Sequence, residues 1–283
     1  MATFYNQAVL SYNGNTTTSN ITTGELLEVI SATKTAVVDE YTENDAVTYV
    51  ISIVNSGATA FTGLTVTDNL GAYTFGALTL VPLTYSDGSV IYYENGVLQP
   101  IPTVTSTNPL TITGINVPAG GNATIIYEAR VNLAAPLDVT GTITNTVVIS
   151  GNGITPVTVE ETISADIAPV LTISKSISPS IVTENGRVTY TFVIQNSGNA
   201  EAIATDNVVV TDVFSPILTG LTVTFDGAAW TEGTNYTYDE TTGNFATIAG
   251  QITVPAATYT QDPVTGNRIT TPGVSVLTVT GTI

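Results

Sequence analysis

The chain contains no cysteine and no histidine, and only 5 lysines and arginines among 283 residues. The missing cysteine rules out disulfides, and with histidine also absent there is no Cys or His ligand for zinc. Catalysis by Ser-His-Asp or Cys-His is excluded for the same reason. With 23 acidic residues the formal net charge is −18. A phosphate backbone would be repelled, so nucleic acid is not a partner, and an anionic membrane surface is disfavoured. No apolar run is long enough for a membrane-spanning helix, so no membrane insertion is expected. The opening Met1-Ala2-Thr3-Phe4-Tyr5-Asn6 lacks a basic stretch followed by an apolar one. It is therefore not read as a secretory signal.

What remains is apolar. Hydrophobic residues make up 43% of the chain and charged residues only 10%. Such a composition buries a core rather than staying disordered. Thr, Val, Ile and Tyr favour strands. Alternation is plain in Val47-Thr48-Tyr49-Val50-Ile51-Ser52-Ile53-Val54 and in Val274-Ser275-Val276-Leu277-Thr278-Val279. Turn signals such as Asp87-Gly88, Asn95-Gly96 and Asp226-Gly227 punctuate these runs. No convincing helical period exceeds two turns. The fold class is all-β, built as antiparallel sandwiches.

The chain repeats itself. Thr42-Glu43-Asn44, Val47-Thr48-Tyr49 and Asn55-Ser56-Gly57 recur as Thr183-Glu184-Asn185, Val188-Thr189-Tyr190 and Asn196-Ser197-Gly198. Val66-Thr67-Asp68 recurs as Val210-Thr211-Asp212, and Val117-Pro118-Ala119 as Val254-Pro255-Ala256. Two tandem sandwiches account for this. Both halves resemble the prokaryotic surface-protein repeat family called "domain of unknown function eleven". Its pattern places a Lys in the first strand, then V-T-Y, N-x-G and V-T-D, with N-T in the last strand. The resemblance implies an Ig-like fold and a place in extracellular stalks, filaments or spore appendages.

The repeat is out of phase with the chain. Domain 1 closes with the strand from Thr142 to Gly153. Domain 2 shows no such strand before Ile283, whereas residues Thr3 to Gly14 align with Thr142 to Gly153 without a gap. The reading is a donor strand at 1–14, a flexible linker at 15–27, Ig-like domain 1 at 28–153, a connector at 154–168 and an incomplete domain 2 at 169–283. A sandwich lacking a strand exposes an apolar groove and an open sheet edge, which a strand from another copy would fill. Phe4, Ala8, Leu10 and Tyr12 would point inward. Repeated without closure, the contact yields a filament, so the partners are other copies of the chain. Two alternatives stay open: the N-terminal strand pairs with domain 1, or it folds back onto domain 2 of its own chain.

Only two lysines exist, Lys34 and Lys175, spaced by the 141-residue repeat. Strand parity places Lys34 with Ile30, Ala32 and Ala36, and Lys175 with Leu171, Ile173 and Ile177. Asp68, Asp212, Asn145 and Asn6 share core-facing parity on their own strands. A buried lysine needs compensation. Desolvation favours its neutral amine, a nucleophile, and the protonated form of a buried aspartate. The amine can attack an asparagine carboxamide and release ammonia, and the constellation resembles that of Gram-positive pilin and adhesin domains with such isopeptide bonds. The expected bonds are Lys34–Asn145 within the chain, with Asp68 as acid, and Lys175 to Asn6 of the next copy, with Asp212 as acid. The alternative is a buried Lys–Asp ion pair with Asn as hydrogen-bond partner.

No metal or cofactor is called for, and no turnover enzyme. The glycosylation-like triplets at Asn15, Asn20, Asn122 and Asn235, and the acidic turns at Asp206 and Asp239, are read as ordinary loops. The rival reading is an adhesin or stalk module that binds a carbohydrate or host protein.

Overall fold

The computed structural model describes residues 2–26, 28–151 and 153–283. Met1, in the segment read as the donor, Leu27, in the segment read as the linker, and Asn152, in the segment read as the closing strand of domain 1, lie outside the described residues. The described residues hold strands and one short 3-10 helix, Ala204–Asp206. None forms a helix long and apolar enough to cross a membrane. The chain divides into two compact units, residues 1–135 with 143–163, and residues 136–142 with 164–283.

The N-terminal arm of unit 1 comprises β1 (Ala2–Asn6), β2 (Val9–Tyr12), β3 (Asn15–Thr18) and β4 (Thr22–Leu26). Its sandwich follows with β5 (Ile30–Ala36), β6 (Glu40–Tyr41), β7 (Ala46–Asn55), β8 (Phe61–Asp68), β9 (Tyr73–Phe75), β10 (Leu78–Leu80), β11 (Leu83–Tyr85), β12 (Ile91–Glu94), β13 (Val97–Leu98), β14 (Thr103–Thr107), β15 (Leu110–Val117), β16 (Asn122–Val131), β17 (Thr142–Ser150) and β18 (Val157–Ala165). One sheet runs β13-β12-β16-β7-β5, with β11 also on β16; the other runs β14-β15-β8-β17-β18-β6. Alternation does the sorting. Val47, Tyr49, Ile51 and Ile53 on β7 are buried, as are Ala123, Ile125, Tyr127 and Ala129 on β16. The facing sheet contributes Leu64 and Val66 on β8 and Ile143, Val147 and Ile149 on β17. Each large aliphatic side chain so buried contributes roughly 1.5–3 kcal/mol.

Unit 2 contains β19 (Leu171–Ser178), β20 (Arg187–Asn196), β21 (Thr211–Val213), β22 (Thr219–Phe225), β23 (Ala228–Trp230), β24 (Tyr236–Asp239), β25 (Asn244–Thr247), β26 (Thr258–Gln261), β27 (Arg268–Thr271) and β28 (Gly273–Thr282). One sheet runs β19-β20-β28-β22-β23 and a smaller one β21-β25-β24, with a separate β26-β27 hairpin. Its core gathers Val188, Phe192, Ile194, Phe214, Phe245, Leu277 and Val279. One device recurs in both units. Buried Asn55 donates to the carbonyls of Thr59 and Pro118, and buried Asn196 to those of Ala200 and Pro255, clamping the turn after the first long strand.

Two parts of the expected division differ. The segment read as a flexible linker is largely paired: β3 lies on β2 and β4 on β1, both antiparallel. The cause is the Asn13-Gly14 turn, with φ of 44° and 77°, the two-residue geometry that closes a hairpin with the natural strand twist. The arm pairs with itself and with neither sheet of the sandwich among the described residues. Most of the segment read as a connector, 154–168, is β18. It bonds to β17 and β6 and buries Ile163 and Ala165, so it belongs to the domain 1 sheet.

Candidate functional site

In unit 1 the two sheets bring four polar side chains together. Lys34 comes from β5, Asp68 from the end of β8, Asn145 from β17 and Tyr127 from β16. Lys34 Nζ donates to Asp68 Oδ2 at 2.7 Å, and the two side chains are 0% and 1% exposed. Tyr127 Oη donates to the same oxygen at 2.5 Å. Asn145 Nδ2 in turn donates to Tyr127 Oη at 3.0 Å. The phenol thus bridges the acid and the carboxamide nitrogen.

The backbone completes the site. After Asp68 the chain makes two left-handed steps, Leu70 at φ 54° and Gly71 at φ 73°. These aim Leu70 N–H at Asp68 Oδ1 (2.8 Å) and Gly71 N–H at Asn145 Oδ1 (3.2 Å). Glycine is needed twice over at position 71. Its φ is costly for other residues, and a Cβ there would sit 2.5 Å from Ile143 Cγ2.

Burial drives the electrostatics. Desolvation pulls the Lys34 amine down to about 8, and the attraction of Asp68 only partly offsets it. The Lys34 ammonium lies 4.7 Å from the Tyr49 ring centroid, which supplies a weak compensating contact. Burial, then the neighbouring Asp68 charge, pushes the Tyr127 phenol well above its ordinary range. Tyr127 is therefore a proton donor or relay at neutral pH, not a phenolate.

Unit 2 carries the same pair in an open setting. Lys175 donates to Asp212, but the two side chains are 40% and 18% exposed. The expected burial of Lys175 is not found: residues 172–178 of β19 are all exposed. Ile173 and Ile177, on the same face of β19, are exposed too. The ammonium packs over the rings of Tyr190, Phe192 and Phe214 at 4.6, 5.4 and 5.4 Å. In unit 1, β8 is flanked by β15 and β17; among the described residues of unit 2 its counterpart β21 pairs with β25 and carries no strand on its other edge.

Phe4, Asn6, Ala8, Leu10 and Tyr12 are all exposed on the arm. The structure therefore assembles Lys34, Asp68 and Asn145 in one buried site and pairs Lys175 with Asp212. Asn6 lies on the arm of unit 1, paired with Thr22. Sequence reasoning missed Tyr127 and the Gly71 N–H. Tyr127 faces Tyr49 across the β7/β16 register, whereas Tyr190, the counterpart of Tyr49, faces Val279. The signal was available only as a difference between the repeats.

No protein-family model matches the chain. No curated protein matches it either. Among solved structures, the pilus backbone protein of Streptococcus pneumoniae is 11% identical, with 86% of this chain and 55% of that one covered and a TM-score of 0.35. The chain thus spans just over half the length of that structure. The major pilin subunit of Bacillus cereus is 13% identical over 95% of this chain and 73% of that one, TM-score 0.37. A collagen-binding subdomain from an Enterococcus faecalis surface protein is 9% identical over 50% and 99%, TM-score 0.30.

Proposed function

We propose that the chain is the subunit of an extracellular bacterial or spore-surface filament, assembled head to tail by donor-strand complementation. The observation that carries the reading is the contrast at one position of the repeat. Unit 1 has β17 over its Lys–Asp pair, whereas unit 2 leaves that pair and the β21 edge uncovered. The residues that align with β17 lie on the exposed arm. Leu10 aligns with Ile149 and Phe4 with Ile143, both buried in unit 1. The strong negative charge would keep such fibres soluble and unbundled.

Isopeptide bonds would lock the subunits. In unit 1 the Lys34 ammonium passes a proton to Asp68, and the neutral amine attacks Cγ of Asn145. Gly71 N–H stabilises the carboxamide oxygen as charge builds there. A proton travels from Asp68 through Tyr127 Oη to the carboxamide nitrogen, the Cγ–Nδ2 bond breaks and ammonia leaves. Of the three ammonium protons, one stays on the new amide and one leaves on ammonia. The third remains on Asp68 until ammonia carries it off as ammonium. Between subunits Lys175 and Asp212 would act on Asn6 of the arriving arm. The chemistry is single-turnover and self-directed.

A Leu10→Asp substitution tests the assembly step. It would place a charge where unit 1 has buried Ile149, so sedimentation should show monomer instead of oligomers. Oligomers unchanged from wild type would overturn the reading.

A further inference from the structure

The arm matches more of unit 1 than one strand. A constant offset of 139 carries Phe4, Tyr5, Thr23 and Gly24 onto Ile143, Thr144, Thr162 and Ile163. Tyr5 pairs with Thr23 across β1 and β4. Thr144 and Thr162 touch across β17 and β18, their hydroxyls 2.8 Å apart. The same two positions are therefore cross-strand neighbours in both pairs of strands.

Side-chain volume follows the same correspondence. Ile143 and Ile163 are both buried in unit 1. On the arm, Phe4 and Gly24 are cross-strand partners, and a Cβ on Gly24 would sit 2.3 Å from Phe4 Cζ. One large ring over a glycine replaces two isoleucines.

The residues of unit 2 that correspond to β6 are not paired into a strand among the described residues. In unit 1, β18 lies between β17 and β6. The β6 residues Glu40 and Tyr41 correspond, at the 141-residue repeat, to Ile181 and Val182. Ile181 is 89% exposed. A single strand on β21 would leave it bare, and a second strand beside the first would cover it.

Resting on the filament reading above, we infer that the donor is the whole Ala2–Leu26 hairpin of a second copy. Strands β1 and β2 dock on the β21 edge, and β3 and β4 lie outside them against Ile181 and Val182. Five residues separate β18 from β19 in the sequence, and three separate β4 from β5. Every sandwich is then closed by the hairpin that begins the next repeat, whether that repeat lies in the same chain or in another.

Hydrogen exchange on the full chain, dilute and assembled, tests this. An isolated two-stranded ribbon is marginal in water, so the free arm exchanges fast. Hairpin docking should slow exchange at least about tenfold in β1 through β4, in β21 and at residues 181–182. Slowing in β1, β2 and β21 while β3, β4 and 181–182 stay fast would overturn the hairpin and leave single-strand donation standing. Fast exchange at β21 in assembled material would overturn both. The variant Ile181→Asp gives a second readout at an exposed position. It should weaken assembly at least about tenfold through a charge placed in the contact; assembly at the wild-type level would contradict the hairpin.

Discussion

The two sandwiches hold the same Lys–Asp pair in opposite circumstances, and the difference separates what the pair is from what covers it. In unit 1 the pair is sealed under β17 and wired to Tyr127, Asn145 and the Gly71 N–H. In unit 2 it is partly exposed, packed on the rings of Tyr190, Phe192 and Phe214, with Val279 at the position that Tyr127 takes in unit 1. A lysine sealed from water is a reactive or costly group; one in contact with water escapes most of that cost.

The largest effect that would break this comparison is the loss of the acid. Asp68→Ala leaves Lys34 buried without its partner and should cost unit 1 about 3–5 kcal/mol. Asp212→Ala in the unassembled chain should cost about 1 kcal/mol or less, because the pair is solvated. Denaturant unfolding of each variant measures both. Equal losses would mean that burial does not distinguish the two sites.

Tyr127→Phe sharpens the chemical half. It keeps the ring and removes the hydroxyl between Asp68 and Asn145. Lys34–Asn145 bond formation should slow about a hundredfold, a loss of general-acid assistance. The bond at Lys175 should be unaffected, since Val279 stands where Tyr127 does. Mass spectra over time after refolding follow both.

A smaller effect comes from pH. In Asn145→Ala no bond can form, and Lys34 keeps a titrating amine pulled down to about 8 in the folded protein. Between that value and the unfolded value of 10.5, the unfolded chain holds the proton and the folded one does not. Stability therefore rises with pH from about 8, by about 2–3 kcal/mol up to pH 10. Above that the trend reverses, because unfolded tyrosines ionise while buried Tyr127 resists. Wild type with the bond formed has no amine left at Lys34 and should lack the rise. Unfolding midpoints from pH 7 to 10 on both proteins decide it.

Much of this was legible in the residues. The period-2 runs on β7 and β28 reveal the strands, and the 141-residue spacing of Lys34 and Lys175 reveals the repeat. Parity alone placed Lys34, Asp68 and Asn145 on core faces. Three things were not legible. By alignment with Thr142 to Gly153, Asn13-Gly14 reads as the end of a strand, though the same dipeptide closes a hairpin at Asn95-Gly96, where both residues also have positive φ. The polar Thr16–Thr23 stretch carries no apolar alternation, so nothing local marks it as a strand; pairing with β1 and β2 does. Tyr127 reads as one more core aromatic until its hydroxyl is seen between two strands of the opposite sheet.

Intact mass after complete denaturation tests the central claim most directly. The account expects covalent multiples of the chain, lighter by one ammonia for each Lys34–Asn145 bond and each Lys175–Asn6 bond. An Asn6→Ala variant should collapse the ladder to single chains that still lack one ammonia. A single-chain mass with no loss of ammonia would contradict the account and return both lysines to plain ion pairs.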